Sequence, residues 1–248
     1  MKLFLSYFFL SLVIIVSPVQ AKEPNWTEYS ALLKKYVSAG RIKNVDLMMV
    51  DYEGFKTDAA FHRVVSQLDA FDTQQLVTRN EKLAFYINAY NILAIKVVLD
   101  HWPVDSIKDV GGLFSPVWKK NAGEINRKIV TLHEIEHEIL RKMAEPRIHM
   151  AIVCASVSCP DLRNEAYTAA QLEQQLDDQT KKFLANAGKG LYVKRNVAYV
   201  SKIFDWFEED FSIYGGVKGF IQKYQPVLSA VSDVEADIDY DWQLNIKK

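Results

Sequence analysis

The chain lacks an excess of charge of either sign, since 30 basic residues balance 31 acidic ones. No part of it is strongly biased to one sign, so neither nucleic-acid binding nor binding to an anionic membrane is expected. It also lacks internal repeats, low-complexity runs and linkers. Residues 22–248 are therefore expected to form a single globular domain, and an aromatic content of 12% argues against disorder.

The N-terminus has the pattern of a cleavable export signal. Met1-Lys2 is a short positive start, residues 3–16 are largely apolar, and small residues precede a cleavage point after Ala21. The alternative is an uncleaved membrane anchor, but the apolar run is shorter than the ~20 residues that a span needs. We expect residues 1–21 to be a signal peptide and the mature chain to be periplasmic or extracellular. No later segment is expected to span a membrane.

Hydrophobic periodicity and turn residues predict an α+β fold that is mostly helical, with a small sheet. Helices outnumber strands and do not alternate strictly with them, which argues against a doubly wound sheet. Residues 106–130 are expected to be loop with one hairpin, and residues 191–200 a second hairpin turning at Arg195-Asn196. Other extended segments are predicted over 45–52 and 148–153. The predicted helices cover residues 26–39, 58–71, 79–100, 132–143, 168–187, 205–211 and 217–224.

Three polar residues occur where the hydrophobic pattern predicts burial. Glu136 projects near the middle of an apolar stripe, so its carboxyl group must be paired, hydrogen-bonded or protonated. Asn88 and Asn91 interrupt an otherwise apolar helix and share one side of it. Both could satisfy loop backbone groups, or one could orient a catalytic histidine or form part of an oxyanion site.

A loop rich in small residues follows the predicted strand that carries His149. It contains both cysteines of the chain, Cys154 and Cys159, together with two serines. Loops at strand ends commonly carry active-site groups. In an oxidising compartment the two thiols could form a static disulfide or a labile redox pair.

Two further chemistries compete for these residues. His133 and His137 form an H-E-x-x-H pattern, which is typical of zinc peptidases, although a third ligand is not obvious. Alternatively, a cysteine could be a nucleophile activated by histidine. All five histidines precede both cysteines, which excludes a papain-like order of residues and leaves His149 and His137 as candidate bases.

Several segments resemble the domain-of-unknown-function family 547. They include residues 85–91, the Ile135-Glu136-His137 run with Leu140-Arg141, residues 146–149 leading into 154–160, residues 201–207 and residues 239–245. The resemblance implies little settled biochemistry and no cofactor. It places Asn88, Asn91, Glu136, His137, His149, Cys154 and Cys159 in family motifs, whereas His133 lies outside them. The H-E-x-x-H pattern is therefore interpreted as a coincidence, and no metal is expected.

The first hypothesis is a thiol-dependent hydrolase or acyl transferase acting on an amide or ester. Cys159 would be the nucleophile, because a helix starting at Pro160 would lower its pKa. His149 would be the general base and Glu136 its orienting partner, with Asn88 or Asn91 assisting. The alternatives are an exported, non-enzymatic binding domain with structural polar residues, and a zinc hydrolase. The substrate or protein partner is not readable from the sequence.

Overall fold

The computed structural model describes residues 23–112 and 116–247. The predicted signal peptide, residues 1–21, lies outside the described residues. Helices outweigh strands, which confirms the predicted α+β class, but the strands form three small sheets instead of one. The α-helices are α1 (Thr27–Tyr36), α2 (Tyr52–Thr57), α3 (Ala59–Ala70), α4 (Arg79–Asp100), α5 (Leu172–Ala185), α6 (Ile203–Trp206) and α7 (Val217–Tyr224).

Two of the three sheets are antiparallel hairpins, and the third adds a parallel strand to a hairpin. The hairpin over residues 191–201 turns at Arg195 and Asn196, both at positive φ, as the sequence predicts, because a two-residue turn with both residues at positive φ matches the twist of the strands. The pairs are β1 (Val37–Ile42) with β2 (Val45–Val50), β3 (Asn121–Ile125) with β4 (Lys128–Thr131), and β5 (Leu191–Lys194) with β6 (Val197–Ser201), to which β7 (Asp233–Ile238) is parallel.

The buried apolar residues of the described chain form two clusters, and helix α4 lies in the larger one. Its bounds are those that the sequence predicts. A capping box begins it: the Thr78 hydroxyl accepts from the Glu81 amide, and the Glu81 carboxylate accepts from the Thr78 amide. By length and composition alone α4 could cross a membrane, contrary to the sequence prediction, yet most of it is buried inside the molecule. Its neighbours include α2, α3, β3 and the helix that carries Glu136.

The first helix ends earlier than the sequence predicts. Helix α1 stops at Tyr36, and residues predicted to continue it to Ala39 belong to β1. Cross-strand pairing from Val37↔Val50 to Ile42↔Val45 satisfies these backbone groups. Gly40, expected to end the helix, lies within the strand, so tertiary pairing overrides the helical pattern.

The predicted helix over residues 132–143 is not a regular α-helix. Its capping box is present, since Thr131 and Glu134 exchange hydrogen bonds between side chain and backbone. Glu134–Leu140 is a π-helix, and Arg141–Met143 continues it as a 3₁₀-helix. π-Helical turns are rare and frequently occur at functional sites.

The prediction of a strand over residues 148–153 is wrong. Pro146–Met150 is a 3₁₀-helix whose bonds are local, such as Ile148 N–H to Glu145 O, and a turn follows it. Pro146 at the first helical position has a fixed φ suited to a helix start, and the Glu145 carboxylate accepts from the Arg147 amide. The predicted alternation of His149 and Met150 between two strand faces is therefore absent, and both side chains are buried.

Smaller differences concern two other helices. Helix α5 is shorter at both ends than the predicted 168–187. The predicted helix over 205–211 is divided between α6 and the 3₁₀-helix Glu208–Tyr214.

Candidate functional site

The cysteine loop, residues 154–159, is held in place by three separate parts of the chain. From α4, the Asn91 amide donates to Ala151 O (3.0 Å) and accepts from Val153 N–H (2.8 Å), immediately before Cys154. From the other side, Lys189 Nζ donates to Cys159 O (2.8 Å) and Asp161 Oδ1 (2.6 Å). These buried bonds fix both ends of the loop.

The C-terminal segment, residues 240–245, forms the third support. Val157 N–H donates to Gln243 O (2.8 Å), and Asn245 N–H donates to Ala155 O (3.1 Å). Ala155 itself has a φ of 61°, a conformation that residues other than glycine seldom adopt. Backbone strain of this kind persists where the surrounding structure enforces it, and it clusters at functional sites.

The two thiols of the loop are unbonded and in contact, with their Sγ atoms 2.8 Å apart. Cys154 is partly exposed, whereas Cys159 is buried. Burial alone would raise the pKa of Cys154, but hydrogen bonds with Cys159, Ser156 and Tyr240 outweigh it and lower the pKa to about 7. Tyr240 Oη, which accepts from Ser156 Oγ (3.4 Å), lies 3.2 Å from Sγ of Cys154. Cys154 is thus the thiol that ionises near neutral pH.

Cys159 does not have the environment that the sequence predicts. No helix begins at Pro160, since residues 160–163 are irregular. Burial, together with the neighbouring Cys154, raises the pKa of the Cys159 thiol well above its usual value. The stated reason for preferring Cys159 as the nucleophile is therefore wrong, and its thiol stays protonated at neutral pH.

Glu136 is buried on the π-helix, as the apolar stripe predicts. Burial, followed by the charge of Cys154, raises the pKa of its carboxyl group to about 7. Its hydrogen-bond partner is Tyr90 of α4, whose hydroxyl donates over 3.3 Å. Glu136 and Cys154 thus repel each other when both are ionised, so an ionised Cys154 disfavours the ionisation of Glu136.

His149 is paired with Asp210 and not, as the sequence analysis suggested, with Glu136. Its Nε2 lies 2.7 Å from Asp210 Oδ2, and its ring stacks on Phe207 with centroids 4.1 Å apart. Burial lowers the pKa of His149, so the imidazole is neutral and Nε2 carries the proton that Asp210 accepts. The other ring nitrogen, Nδ1, is then a base.

Arg141 holds Asp210 in its ionised form. It donates through Nε and Nη2 to both Asp210 oxygens, over 2.7 and 2.8 Å, and its Nη1 lies 2.9 Å from His137 Nδ1. Partial burial acts in the opposite direction, but the bonds from His149 and Arg141 hold the pKa of Asp210 well below its usual range. Burial, with the positive charges nearby, lowers the pKa of His137 to about 4.

These groups line a cleft of about 350 Å³. Four aromatic residues of the lining are in ring contact with one another and are named here the aromatic wall. Ring-centroid distances within the wall run from 4.5 Å to 5.7 Å, so the rings support one another. The aromatic wall comprises Trp118, Trp206, Tyr240 and Trp242, and the other groups in the lining include Tyr90, Glu136, His137, His149, Cys154 and Cys159.

Five of the seven residues singled out in the sequence line the cleft, and the two asparagines do not. The Asn88 amide donates to Tyr167 O (2.8 Å) and accepts from Tyr167 N–H (2.9 Å). Asn91 makes the same kind of paired hydrogen bonds to the backbone. Of the two interpretations, the structural one is therefore correct, and neither amide orients a histidine. Asn91 still acts on the site, because the backbone it holds leads into Cys154.

The H-E-x-x-H pattern does not form a zinc site. His133 and His137 stack with ring centroids 4.3 Å apart. Across residues 23–112 and 116–247, no three His, Cys, Asp or Glu side chains are grouped so as to hold a metal ion.

Asp210 and Trp118 were not singled out in the sequence, and Arg141, Trp206, Tyr240 and Trp242 lay in segments that resemble the family but had no role assigned to them. Asp210 belongs to an acidic run, Glu208-Glu209-Asp210, in which nothing marks one carboxylate as buried beside a histidine. Tyr240 and Trp242 lay within a segment that resembles the family, and their placement in a cleft depends on the pairing of the C-terminal segment with the cysteine loop.

Residues 74–184 match the model of a family described as "Protein of unknown function, DUF547". The matched range contains α4, the π-helix, His149 and the cysteine loop. Asp210 and three of the four residues of the aromatic wall, Trp206, Tyr240 and Trp242, lie beyond it. No curated protein and no solved structure matches the chain.

Proposed function

We propose that this chain, whose residues 74–184 match the DUF547 family model, is a thiol-dependent hydrolase or acyl transferase acting on amide or ester bonds. One observation carries this proposal: Cys154 is a partly exposed thiol with a pKa of about 7 in the same cleft as a carboxyl group and an imidazole. A thiol ionised near neutral pH is the active form of a cysteine nucleophile.

The proposed reaction begins when the Cys154 thiolate attacks the carbonyl carbon of the substrate. A C–S bond forms, and the protonated Glu136 carboxyl group gives its proton to the leaving amine or alcohol as the C–N or C–O bond breaks. Its pKa of about 7 suits a group that must give up a proton and take it back near neutral pH. The product of this step is a thioester on Cys154.

His149 and Asp210 serve the second step. With Nε2–H donated to Asp210, the free Nδ1 of His149 takes a proton from the water or acceptor alcohol that attacks the thioester. A C–O bond forms as the C–S bond breaks, the Cys154 thiolate leaves, and the proton on His149 returns through water to Glu136. Arg141 keeps Asp210 ionised and thereby fixes the imidazole tautomer. His149 is thus the general base, as the first hypothesis holds, but Asp210 replaces Glu136 as its orienting partner.

The aromatic wall favours substrates whose acyl or leaving group is apolar. Three tryptophans and a tyrosine offer flat faces for van der Waals contact beside the ionisable groups of the cleft. The same wall would suit a non-enzymatic domain that binds an apolar ligand, which is the second candidate. The two functions differ in whether Cys154 becomes acylated.

Acylation is tested with nitrophenyl esters of short and longer acids and intact-mass measurement of the full-length mature chain under reducing conditions. We expect a covalent acyl adduct on Cys154, faster for the more apolar ester, and none in Cys154→Ala. Cys159→Ala is the matched control, which should still be acylated. A wild-type protein that binds these esters without forming an adduct would support the binding domain and refute the enzyme.

The low pKa of Cys154 is tested by the pH dependence of its alkylation with iodoacetamide. The rate should reach half its maximum near pH 7, and Tyr240→Phe should move this midpoint upward by about one pH unit, since a hydrogen bond to the thiolate is lost. Tyr192→Phe, on the far hairpin, removes a hydroxyl group with no contact to the thiol and should leave the midpoint in place. Equal shifts in both variants would contradict the assigned hydrogen bond.

Export is proposed on the leader pattern of residues 1–21 alone. N-terminal sequencing of the protein recovered outside the cytoplasm should begin at Lys22. Recovery of a chain that still starts at Met1 in the membrane fraction would support the uncleaved anchor instead.

A further inference from the structure

We propose that Cys154 and Cys159 form a reversible redox pair, in which a small hydroperoxide oxidises Cys154 and Cys159 then closes a disulfide with it. The inference uses the thiol of the proposed active site but does not require hydrolase activity. It depends on the arrangement of the two sulfurs and on access to only one of them.

The sulfurs are already in position to bond. Their separation of 2.8 Å is less than 1 Å longer than the roughly 2.05 Å of a disulfide bond. The backbone N–H of Cys154 donates to Sγ of Cys159 over 2.8 Å, which orients the second sulfur toward the first. Lys189 and Asn91 hold the two ends of the loop, so bond formation requires only a local movement.

The two thiols have different roles because they differ in exposure. Cys154 is partly exposed at the cleft, whereas Cys159 is 3% exposed. An exposed thiolate with a buried neighbouring thiol is the arrangement of a cysteine that is oxidised first and a second cysteine that resolves it. Hydroxyl groups of Ser156 and Tyr240, at 3.3 and 3.2 Å from Sγ of Cys154, can donate to the oxygen that leaves the peroxide.

The cleft favours a small oxidant over a protein disulfide. Cys154 shares a cleft of about 350 Å³ with the bulky side chains of Trp206 and Tyr240. A hydroperoxide fits there, whereas thiol–disulfide exchange with a folded protein requires its sulfur to approach in line with Sγ of Cys154. The apolar wall also suits an organic hydroperoxide.

The proposed chemistry is a two-electron oxidation of sulfur in two steps. The Cys154 thiolate attacks the terminal oxygen of the hydroperoxide; the O–O bond breaks, an S–O bond forms, and the alkoxide leaves and is protonated to an alcohol. The Cys159 thiol then attacks the sulfenic acid; an S–S bond forms, the S–O bond breaks, and the Cys159 proton leaves with the hydroxide as water. Two equivalents of a small thiol reverse the reaction and become a disulfide themselves.

A closed disulfide removes the nucleophile of the proposed active site. Alkylation and acylation of Cys154 would therefore stop in the oxidised protein and return on reduction. In an oxidising compartment this bond also protects Cys154 from irreversible oxidation to the sulfinic acid.

The test exposes the reduced full-length mature chain to one equivalent of cumene hydroperoxide, then measures intact mass and maps peptides. In the wild type we expect a mass loss of two hydrogens from a Cys154–Cys159 bond, no dimedone adduct, and an alkylation rate lower by more than about tenfold. Dithiothreitol should restore both. Cys159→Ala should accumulate a sulfenic acid on Cys154 that dimedone traps, and Cys154→Ala should not react at Cys159.

Three outcomes would overturn the inference. These are a sulfenic acid that persists in the wild type, a disulfide between two chains instead of within one, and first oxidation at Cys159. The acylation experiment is performed on the reduced protein, so its failure and the failure of this proposal are distinguishable. A variant too unstable to test is identified by circular dichroism, and Cys159→Ser then replaces Cys159→Ala as the trap.

Discussion

Asn88 and Asn91 offer a matched pair for testing how the cysteine loop is held. They lie three residues apart on α4, both are at most 2% exposed, and each makes two hydrogen bonds to the backbone of another segment. Only the bonds of Asn91 lead to the thiol site. Asn91→Ala and Asn88→Ala are therefore equal perturbations of the fold and unequal perturbations of the site.

The expected loss in the free energy of unfolding follows from the backbone groups that each substitution leaves unpaired. Each substitution strands one buried backbone N–H and one buried carbonyl group, and each unpaired group costs about 1–3 kcal/mol. Both variants should thus lose about 2–6 kcal/mol of the free energy of unfolding. A domain in the upper part of the ordinary range of about 5–15 kcal/mol remains largely folded after such a loss.

Two assays separate the effects on fold and site. Equilibrium urea unfolding should show similar losses for Asn88→Ala and Asn91→Ala. Iodoacetamide alkylation without denaturant, where both variants are folded by circular dichroism, should differ. In Asn91→Ala the backbone before Cys154 is released, so the alkylation midpoint should move from about pH 7 toward that of an ordinary thiol. In Asn88→Ala it should not move.

The assigned role of Asn91 in holding the cysteine loop is refuted if Asn91→Ala unfolds more easily while Cys154 keeps its wild-type alkylation profile. It is equally refuted if Asn88→Ala shifts the profile as far as Asn91→Ala does. In the first case the loop is held by Lys189 and the C-terminal segment alone. In the second, α4 acts on the site through its packing and not through this hydrogen bond.

Two further predictions concern buried charge. The pKa of Glu136 is raised from 4.5 to about 7, so the folded state holds the proton more tightly and the protein loses about 3 kcal/mol of stability as pH rises through this window. Glu136→Gln should abolish that loss in urea unfolding measured between pH 4.5 and 8, and an unchanged pH slope would contradict the assigned burial. Lys189→Met breaks a buried pair with Asp161 and should cost about 3–5 kcal/mol. Lys182→Met removes an exposed pair on α5 and should leave stability nearly unchanged, and equal effects of the two lysine variants would show that Lys189 is not a structural anchor.

Helix α4 was predictable because its information is local. A capping box begins it, an apolar sequence fills it, and His101-Trp102-Pro103 follows its end, so the bounds Arg79–Asp100 need no knowledge of its neighbours. The burial of Glu136 was predictable for the same reason, since hydrophobic periodicity shows which side of a helix faces the core. The hairpin turn at Arg195-Asn196 is likewise a short-range signal.

Segments whose structure depends on partners were predicted less well. Residues 148–153 have the composition of a buried strand, but they form a 3₁₀-helix and a turn, bonding locally and to Asn91. Residues 37–39 continue a helical pattern, but β2 pairs with them. A strand exists only if another strand is beside it, and a single sequence does not show which segments meet.

The sequence by itself determined the residue types of the site: two thiols in a small-residue loop, a core-facing carboxyl group and a histidine beside them. Only the tertiary structure decided their roles. It placed Asp210 and Arg141 on His149, brought Tyr240 to Cys154, and buried Cys159. The physical reason is that acidity depends on burial and on charges and hydrogen-bond donors within a few ångströms, and in this site several of those neighbours come from parts of the chain more than about 50 residues away.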